Sequence, residues 1–315
     1  MAQAPRIAGT EERWADIDGC RVRYLFAGQG KPLLLIHGLL GYSFSWRYNF
    51  EALGETRAVY AIDLPGAGFS ERRCDLACGM RESAERVRGF LDELKIDKAD
   101  VLGTSHGGAL AMYMAAMAPE RIENLILVAP ANPWSRFRQH VIRSFATRFG
   151  AAVVRFGTGA MSAVSPPALQ FVQDFFLKRV YGDATRIPPE TAEGYSAPLQ
   201  DPGALEYALK VVRCWRGDMN RLAGLMEGLA DLRVLLVWGT ADGAVDPKSA
   251  YELKRRLPKS ELEMLEGIGH LPYEEDPAEF NRVVLRFLAG ADEFSRQGAT
   301  SIKSKELIAL NEEGL

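Results

Sequence analysis

Asp100-Val101-Leu102-Gly103-Thr104-Ser105-His106-Gly107-Gly108 passes from a short apolar run, through a serine between glycines, into a stretch with Leu110, Met114 and Met117 at helical spacing. A G-x-S-x-G pentapeptide alone is a weak signal; a strand before it and a helix after it give it meaning. So tight a turn needs its glycines, because a Cβ there would collide with neighbouring backbone. The serine hydroxyl then projects from the carboxyl end of a sheet, and the following helix places its positive N-terminus beneath any charge that develops. Ser105 is a candidate nucleophile.

The flanking sequence supplies the sheet. Pro32–Ile36, Ala58–Ile62, Asp100–Leu102 and Leu125–Val128 are short apolar runs of the kind buried parallel strands show. Arg13–Ile17 and Val22–Ala27 flank Asp18-Gly19, a two-residue turn that predicts an antiparallel hairpin. Val87, Phe90, Leu91 and Leu94 fall at i, i+3, i+4 and i+7, the stripe of an amphipathic helix. The rhythm breaks near Asn132, where a helical and loop-rich stretch begins, punctuated by Pro166-Pro167, Pro188-Pro189 and Asp201-Pro202-Gly203. It resumes with a strand at Arg233–Trp238, a helix at Pro247–Arg256 and a strand at Glu261–Leu265. Asp276-Pro277-Ala278-Glu279 opens the last helix with an N-cap, a proline at N1 and a capping-box glutamate. The expected fold class is α/β: a mostly parallel central sheet with helices on both faces. Residues 1–132 and 231–289 form its core, 133–230 a helical cap insertion, and 290–315 a polar tail that frays.

Composition narrows the class. The 315 residues are 47% hydrophobic and 25% charged, with a net charge of -3, which fits a globular chain and excludes disordered or fibrous ones. That balance offers no general field for nucleic acid. The longest apolar stretch, Gly107 to Ala118, falls short of the roughly 18 residues of a spanning helix, so no integral membrane association is expected. The N-terminus lacks the apolar run of a secretory signal. Cys20, Cys74, Cys78 and Cys214 are too sparse for a disulfide framework, and no cluster of zinc spacing appears. A cytoplasmic protein without metal or other cofactor is expected.

A serine needs a base, and the four histidines are His37, His106, His140 and His270. His37 follows a strand and shapes a turn, His106 adjoins the serine with its side chain directed elsewhere, and His140 lies in the insertion. His270 sits in Gly267-Ile268-Gly269-His270, directly after a strand, in a carboxyl-end loop from which a base reaches Ser105. The third member should be a carboxylate at another strand end. Asp242 in Trp238-Gly239-Thr240-Ala241-Asp242 fits; Asp246 suits the N-cap of the helix at Pro247 better. The order Ser, Asp, His is the one α/β-hydrolases use, unlike that of chymotrypsin or subtilisin.

With these residues the chain resembles the α/β-hydrolase superfamily, in its capped serine-hydrolase branch. The matching motifs are His37-Gly38-Leu39-Leu40-Gly41, Asp63-Leu64-Pro65-Gly66-Ala67-Gly68-Phe69-Ser70, the Ser105 turn, Trp238-Gly239 with Asp242, and Gly269-His270 with Pro272. The resemblance implies an α/β-hydrolase fold, with an oxyanion hole from the backbone N–H groups of Leu39 and His106. Two preorganised donors are what a tetrahedral oxyanion requires. The Asp63–Ser70 loop is expected to be structural support.

The cap also resembles, loosely, those of epoxide hydrolases and haloalkane dehalogenases, as at Tyr195-Ser196-Ala197-Pro198-Leu199. Those relatives use an aspartate, whose alkyl ester water can cleave; a serine would leave a stable ether. Ser105 therefore points to acyl chemistry on a small-molecule carboxylic ester. C–C bond hydrolysis of diketones, lactone hydrolysis and cofactor-free perhydrolysis use the same triad and stay open. So does a non-catalytic small-molecule binding protein, though a pure binder has no need of all three residues. Phe137, Val141, Ile142, Phe145 and Phe149 share one helical stripe with Trp134, suiting cap packing or an apolar acyl pocket. Arg138 falls inside that stripe and must snorkel or meet an anion; a substrate carboxylate is one such anion. The basic face suits an anionic membrane surface as an alternative. Phe44, Trp46, Trp134 and Arg138 are the candidate substrate-binding residues. Oligomeric state is beyond the sequence.

Overall fold

Asp18 and Gly19 both take positive φ, 53° and 73°, the backbone of a type I′ turn, which matches the twist of the strands it joins. The turn links β1 (Glu11–Ile17) to β2 (Cys20–Gly28) with Ile17 opposite Cys20. The computed structural model describes residues 3–73, 75–135, 166–201 and 203–290. Its further strands are β3 (Lys31–Ile36), β4 (Arg57–Ile62), β5 (Ala99–Thr104), β6 (Ile122–Val128), β7 (Val234–Gly239) and β8 (Glu261–Leu265). They form one sheet in the order β1-β2-β4-β3-β5-β6-β7-β8. Its first two pairings are antiparallel and the rest parallel.

Parallel strands need crossovers, and helices supply them. They are α1 (Phe50–Gly54), α2 (Met80–Glu93), α3 (Ser105–Met117), α4 (Pro166–Val180), α5 (Thr191–Ser196), α6 (Ala204–Leu225), α7 (Lys248–Arg256) and α8 (Pro272–Glu275), then α9 over 277–290. Alternate residues of β3 point to opposite faces of the sheet. Leu34 and Ile36 pack with Val87 and Phe90 of α2, Leu110 of α3 and Leu222 of α6. Leu33 and Leu35 pack with Leu53 of α1 and Phe280 and Val284 of α9. The sheet is thus covered on both faces, which is why its central strands are apolar throughout.

Helix starts follow the expected chemistry with one change. Asp246 Oδ1 accepts from Lys248 N at 2.9 Å, which caps α7. Asp276 Oδ1 accepts from Glu279 N at 3.2 Å and caps α9. The Glu279 side chain pairs with Arg282 instead of closing a capping box, because a guanidinium one turn on is the stronger partner. Between β6 and β7 the described residues hold helices and no strand. Residues 136–165, with Arg138, His140 and most of the basic apolar stripe, lie outside the described residues, as do 291–315.

Candidate active site

Ser105 stands where β5 ends and α3 begins, with φ at +52°, a left-handed conformation that costs a non-glycine residue about 1–3 kcal/mol. Its neighbours hold it there. A Cβ on Gly103 would lie 2.4 Å from Gly107 O, and one on Gly107 only 2.3 Å from His37 O; glycine is required at both. The Ser105 carbonyl accepts from Ala131 N at 2.9 Å.

The strand order brings the other two candidate residues to the same edge of the sheet. Asp242 follows β7 and His270 follows β8, on the same carboxyl edge as Ser105. His270 Nδ1 and Asp242 Oδ2 are 2.8 Å apart, with side chains 7% and 0% exposed. The other oxygen, Asp242 Oδ1, accepts from Ala244 N at 2.7 Å and Val245 N at 2.9 Å. Both lone-pair sets of the carboxylate are engaged, so Asp242 cannot rotate away from the imidazole. With Nδ1–H given to the acid, Nε2 carries the lone pair a general base needs.

A Cβ on Gly38 would fall 3.3 Å from Ser105 Cβ, so the His37–Leu40 turn presses against the serine. Leu40 takes φ +62° to make that turn. His37 is built into it: Nδ1–H donates to Gly38 O at 2.8 Å, and Nε2 accepts from Leu64 N at 3.0 Å. Asp63 fastens the next loop, accepting from Ser43 N at 2.8 Å, Phe69 N at 2.9 Å and Arg23 Nη1 at 3.1 Å. The Asp63–Ser70 loop is thus a brace for the turn beside Ser105.

The His106 side chain turns away from solvent, 4% exposed, with its ring 5.5 Å from that of Trp215 on α6. Burial, with a smaller push from His37, pulls its imidazole down to about 4. In the unfolded chain it titrates near 6.5, so between these values the unfolded state holds more protons. Stability must therefore fall as pH drops from about 6.5 toward about 4. Urea midpoints at pH 7 and pH 4.5 should show the loss, and His106→Leu should shrink it; an unchanged pH difference in the variant would refute this.

The aromatic residues expected at a substrate pocket sit in packing contacts. Trp46 is fully buried in the core, its ring 4.6 Å from Tyr273. Phe44 lies between Tyr42 at 5.6 Å and Tyr195 at 5.5 Å, under Gly194 of α5, where a Cβ would meet its ring at 2.3 Å. Trp134 packs on the core beneath the Arg256 guanidinium at 3.6 Å.

Two residues escaped the sequence reasoning. Glu274 accepts from Arg47 Nη2 and from Tyr181 Oη, both at 2.9 Å, and from Tyr195 Oη. Glu275 takes three backbone N–H donors. Together they tie the turn after His270 to α4 and α5. Adjacent acids are ordinarily solvated; their only signal is closeness to His270 between Pro272 and Pro277.

The profile of the alpha/beta hydrolase fold family matches residues 31–277. An uncharacterized protein of Mycobacterium bovis is 30% identical over 285 residues, 86% of this chain and 79% of its own. An epoxide hydrolase structure superposes with a TM-score of 0.76 at 24% identity, over 89% of this chain and 99% of its own. The naproxen esterase of Bacillus subtilis does so with a TM-score of 0.70 at 22% identity, over 89% and 91%. At such identities the structural likeness is one of fold. The chain belongs to the α/β-hydrolase family, a hydrolase by class.

Proposed function

We propose that this chain is a serine hydrolase of small or medium carboxylic esters, working through an acyl-enzyme. The observation that carries this is the buried, doubly anchored Asp242–His270 pair on the same sheet edge as a serine held at positive φ. Ser105 Oγ attacks the ester carbonyl while His270 Nε2 takes its proton. The oxyanion rests on the N–H groups of Leu39 and His106. Collapse expels the alcohol, which receives the proton from His270. Water, activated by the same imidazole, then attacks the acyl-enzyme and releases the acid. Asp242 fixes the tautomer and faces the imidazolium that forms. The described part of the 133–230 insertion serves as a cap over this edge and supplies the substrate's surroundings, Trp134 included. The aromatic set Tyr42, Phe44 and Tyr195 joins cap to core. The reaction balances with ester and water alone, and no helix among the described residues is long and apolar enough to cross a membrane.

Fluorophosphonate labelling followed by peptide mass spectrometry tests the proposal. The adduct is expected on Ser105 and should form far more slowly in His270→Ala. A folded wild type that takes no label would refute an activated serine and favour a binding protein.

A further inference from the structure

The Glu275 side chain is 0% exposed, and three backbone N–H groups converge on its carboxylate. Oε2 accepts from Gly269 N at 2.7 Å and from Gly182 N at 3.0 Å, and Oε1 from Asp183 N at 2.9 Å. Bonds of this kind to a charged acceptor are about twice as strong as neutral ones. The donors come from two places. Gly269 precedes His270 directly, whereas Gly182 and Asp183 follow α4 in the segment between β6 and β7.

These two stretches also meet backbone to backbone. His270 N donates to Val180 O at 2.6 Å. A Cβ on Gly182 would stand 2.5 Å from Gly267 O and 2.9 Å from Gly269 N, and one on Gly269 would stand 2.3 Å from both Gly182 N and Val180 O. With no side chain between them, displacement of one stretch must move the other. The opposite side of the loop is held to β7's loop, where Ala241 N donates to Ile268 O at 2.9 Å and Asp242 meets His270. His270 thus hangs between two anchors. One carries its orienting acid, and the other is the Val180–Asp183 stretch joined through Glu275.

We infer that Glu275 is a positioning residue for His270: its carboxylate locks the base-bearing loop to the Val180–Asp183 stretch, so that the seat of the insertion sets the alignment of the imidazole on Ser105. This rests on the acyl-transfer reading of Ser105, Asp242 and His270. The lock requires a carboxylate. A glutamine presents one carbonyl oxygen and one NH2 group; the NH2 would face an N–H donor, which then loses its acceptor in the lock. Loosening the lock changes the geometry of proton transfer more than the binding of substrate, and a misplacement of about 1 Å can cost about 100-fold in rate.

Glu275→Gln, and Gly182→Ala from the other side of the contact, are to be compared with wild type by ester kinetics, thermal unfolding and the rate of Ser105 labelling. Both are expected to lose about 10- to 100-fold in kcat and labelling rate, with KM within about twofold of wild type. If the folded variants turn over and label at wild-type rates while only Tm falls, Glu275 is a structural staple and the inference is wrong. Should Glu275→Gln fail to fold, Gly182→Ala decides by the same readouts. A wild type that takes no label at Ser105 overturns the acyl-transfer reading itself, an outcome distinct from equal labelling of wild type and variants.

Discussion

Ser105→Ala is expected to lower kcat about a million-fold, the loss seen when a triad loses its nucleophile, with little change in stability. The reaction proposed here forms a covalent bond at Oγ, and no neighbouring hydroxyl takes its place, because the turn around position 105 is too tight to re-aim. Gly103 and Gly107 already stand against backbone oxygens, at the 2.4 Å and 2.3 Å an added Cβ would leave. What activity survives comes from the oxyanion donors and binding alone, roughly a thousand-fold or more above water. Alanine shares the β-carbon of serine, so the strain at φ +52° stays in the variant. Ser105→Gly removes that strain and should be the more stable of the two by about 1 kcal/mol. Single-turnover ester kinetics with urea denaturation of both variants checks the pair of expectations. Residual turnover within about 100-fold of wild type would remove Ser105 as nucleophile.

The second large effect belongs to Asp242→Asn, for which kcat should fall about 10,000-fold with the backbone undisturbed. The surroundings fix how the amide must sit. Ala244 N and Val245 N both donate to Oδ1 at 2.7 Å and 2.9 Å, so the asparagine turns its oxygen toward them. Its NH2 group then faces His270 Nδ1, where the carboxylate oxygen now stands at 2.8 Å. A donor at that point demands a lone pair on Nδ1 and moves the proton to Nε2. The atom meant to take the serine proton is then already protonated. The lost charge also leaves the imidazolium of the transition state without its counter-ion. Asp242→Ala, which removes the oxygen but leaves the tautomer free, separates the two effects. If Asp242→Asn keeps more than a tenth of wild-type kcat, Asp242 is not the residue that sets the tautomer of His270.

Much of this was visible in the chain as letters. The pair Asp18-Gly19 marks a hairpin because few residues other than glycine, asparagine and aspartate tolerate positive φ, and both residues adopt it. Glu261–Leu265 and the caps at Asp246 and Asp276 were legible for similar reasons: each is local chemistry with a short sequence signature. Ser105, Asp242 and His270 could be put forward from the sequence because each follows a strand-like run, with histidine scarce at four in the chain, and a parallel sheet gathers all such ends on one edge. The turn at α8 (Pro272–Glu275) was not seen, since four residues carry no periodicity. Nor was the fate of Trp46. An aromatic residue two positions from a turn reads the same whether it faces a ligand or, as here, Tyr273.

The sequence by itself determined the class of fold, the order of the strand and helix elements and the three residues set forward for chemistry, because these depend on local propensity and on the alternation of short apolar runs. Tertiary structure decided what depends on distance across the chain. It paired Arg23 with Asp63 from 40 residues away, set His106 against Trp215, and brought Tyr195 to Glu274 and Asp183 to Glu275, donors more than 70 residues distant in sequence. A buried charge is tolerated only where partners converge on it, and no pattern in neighbouring residues says which distant donors the fold will bring.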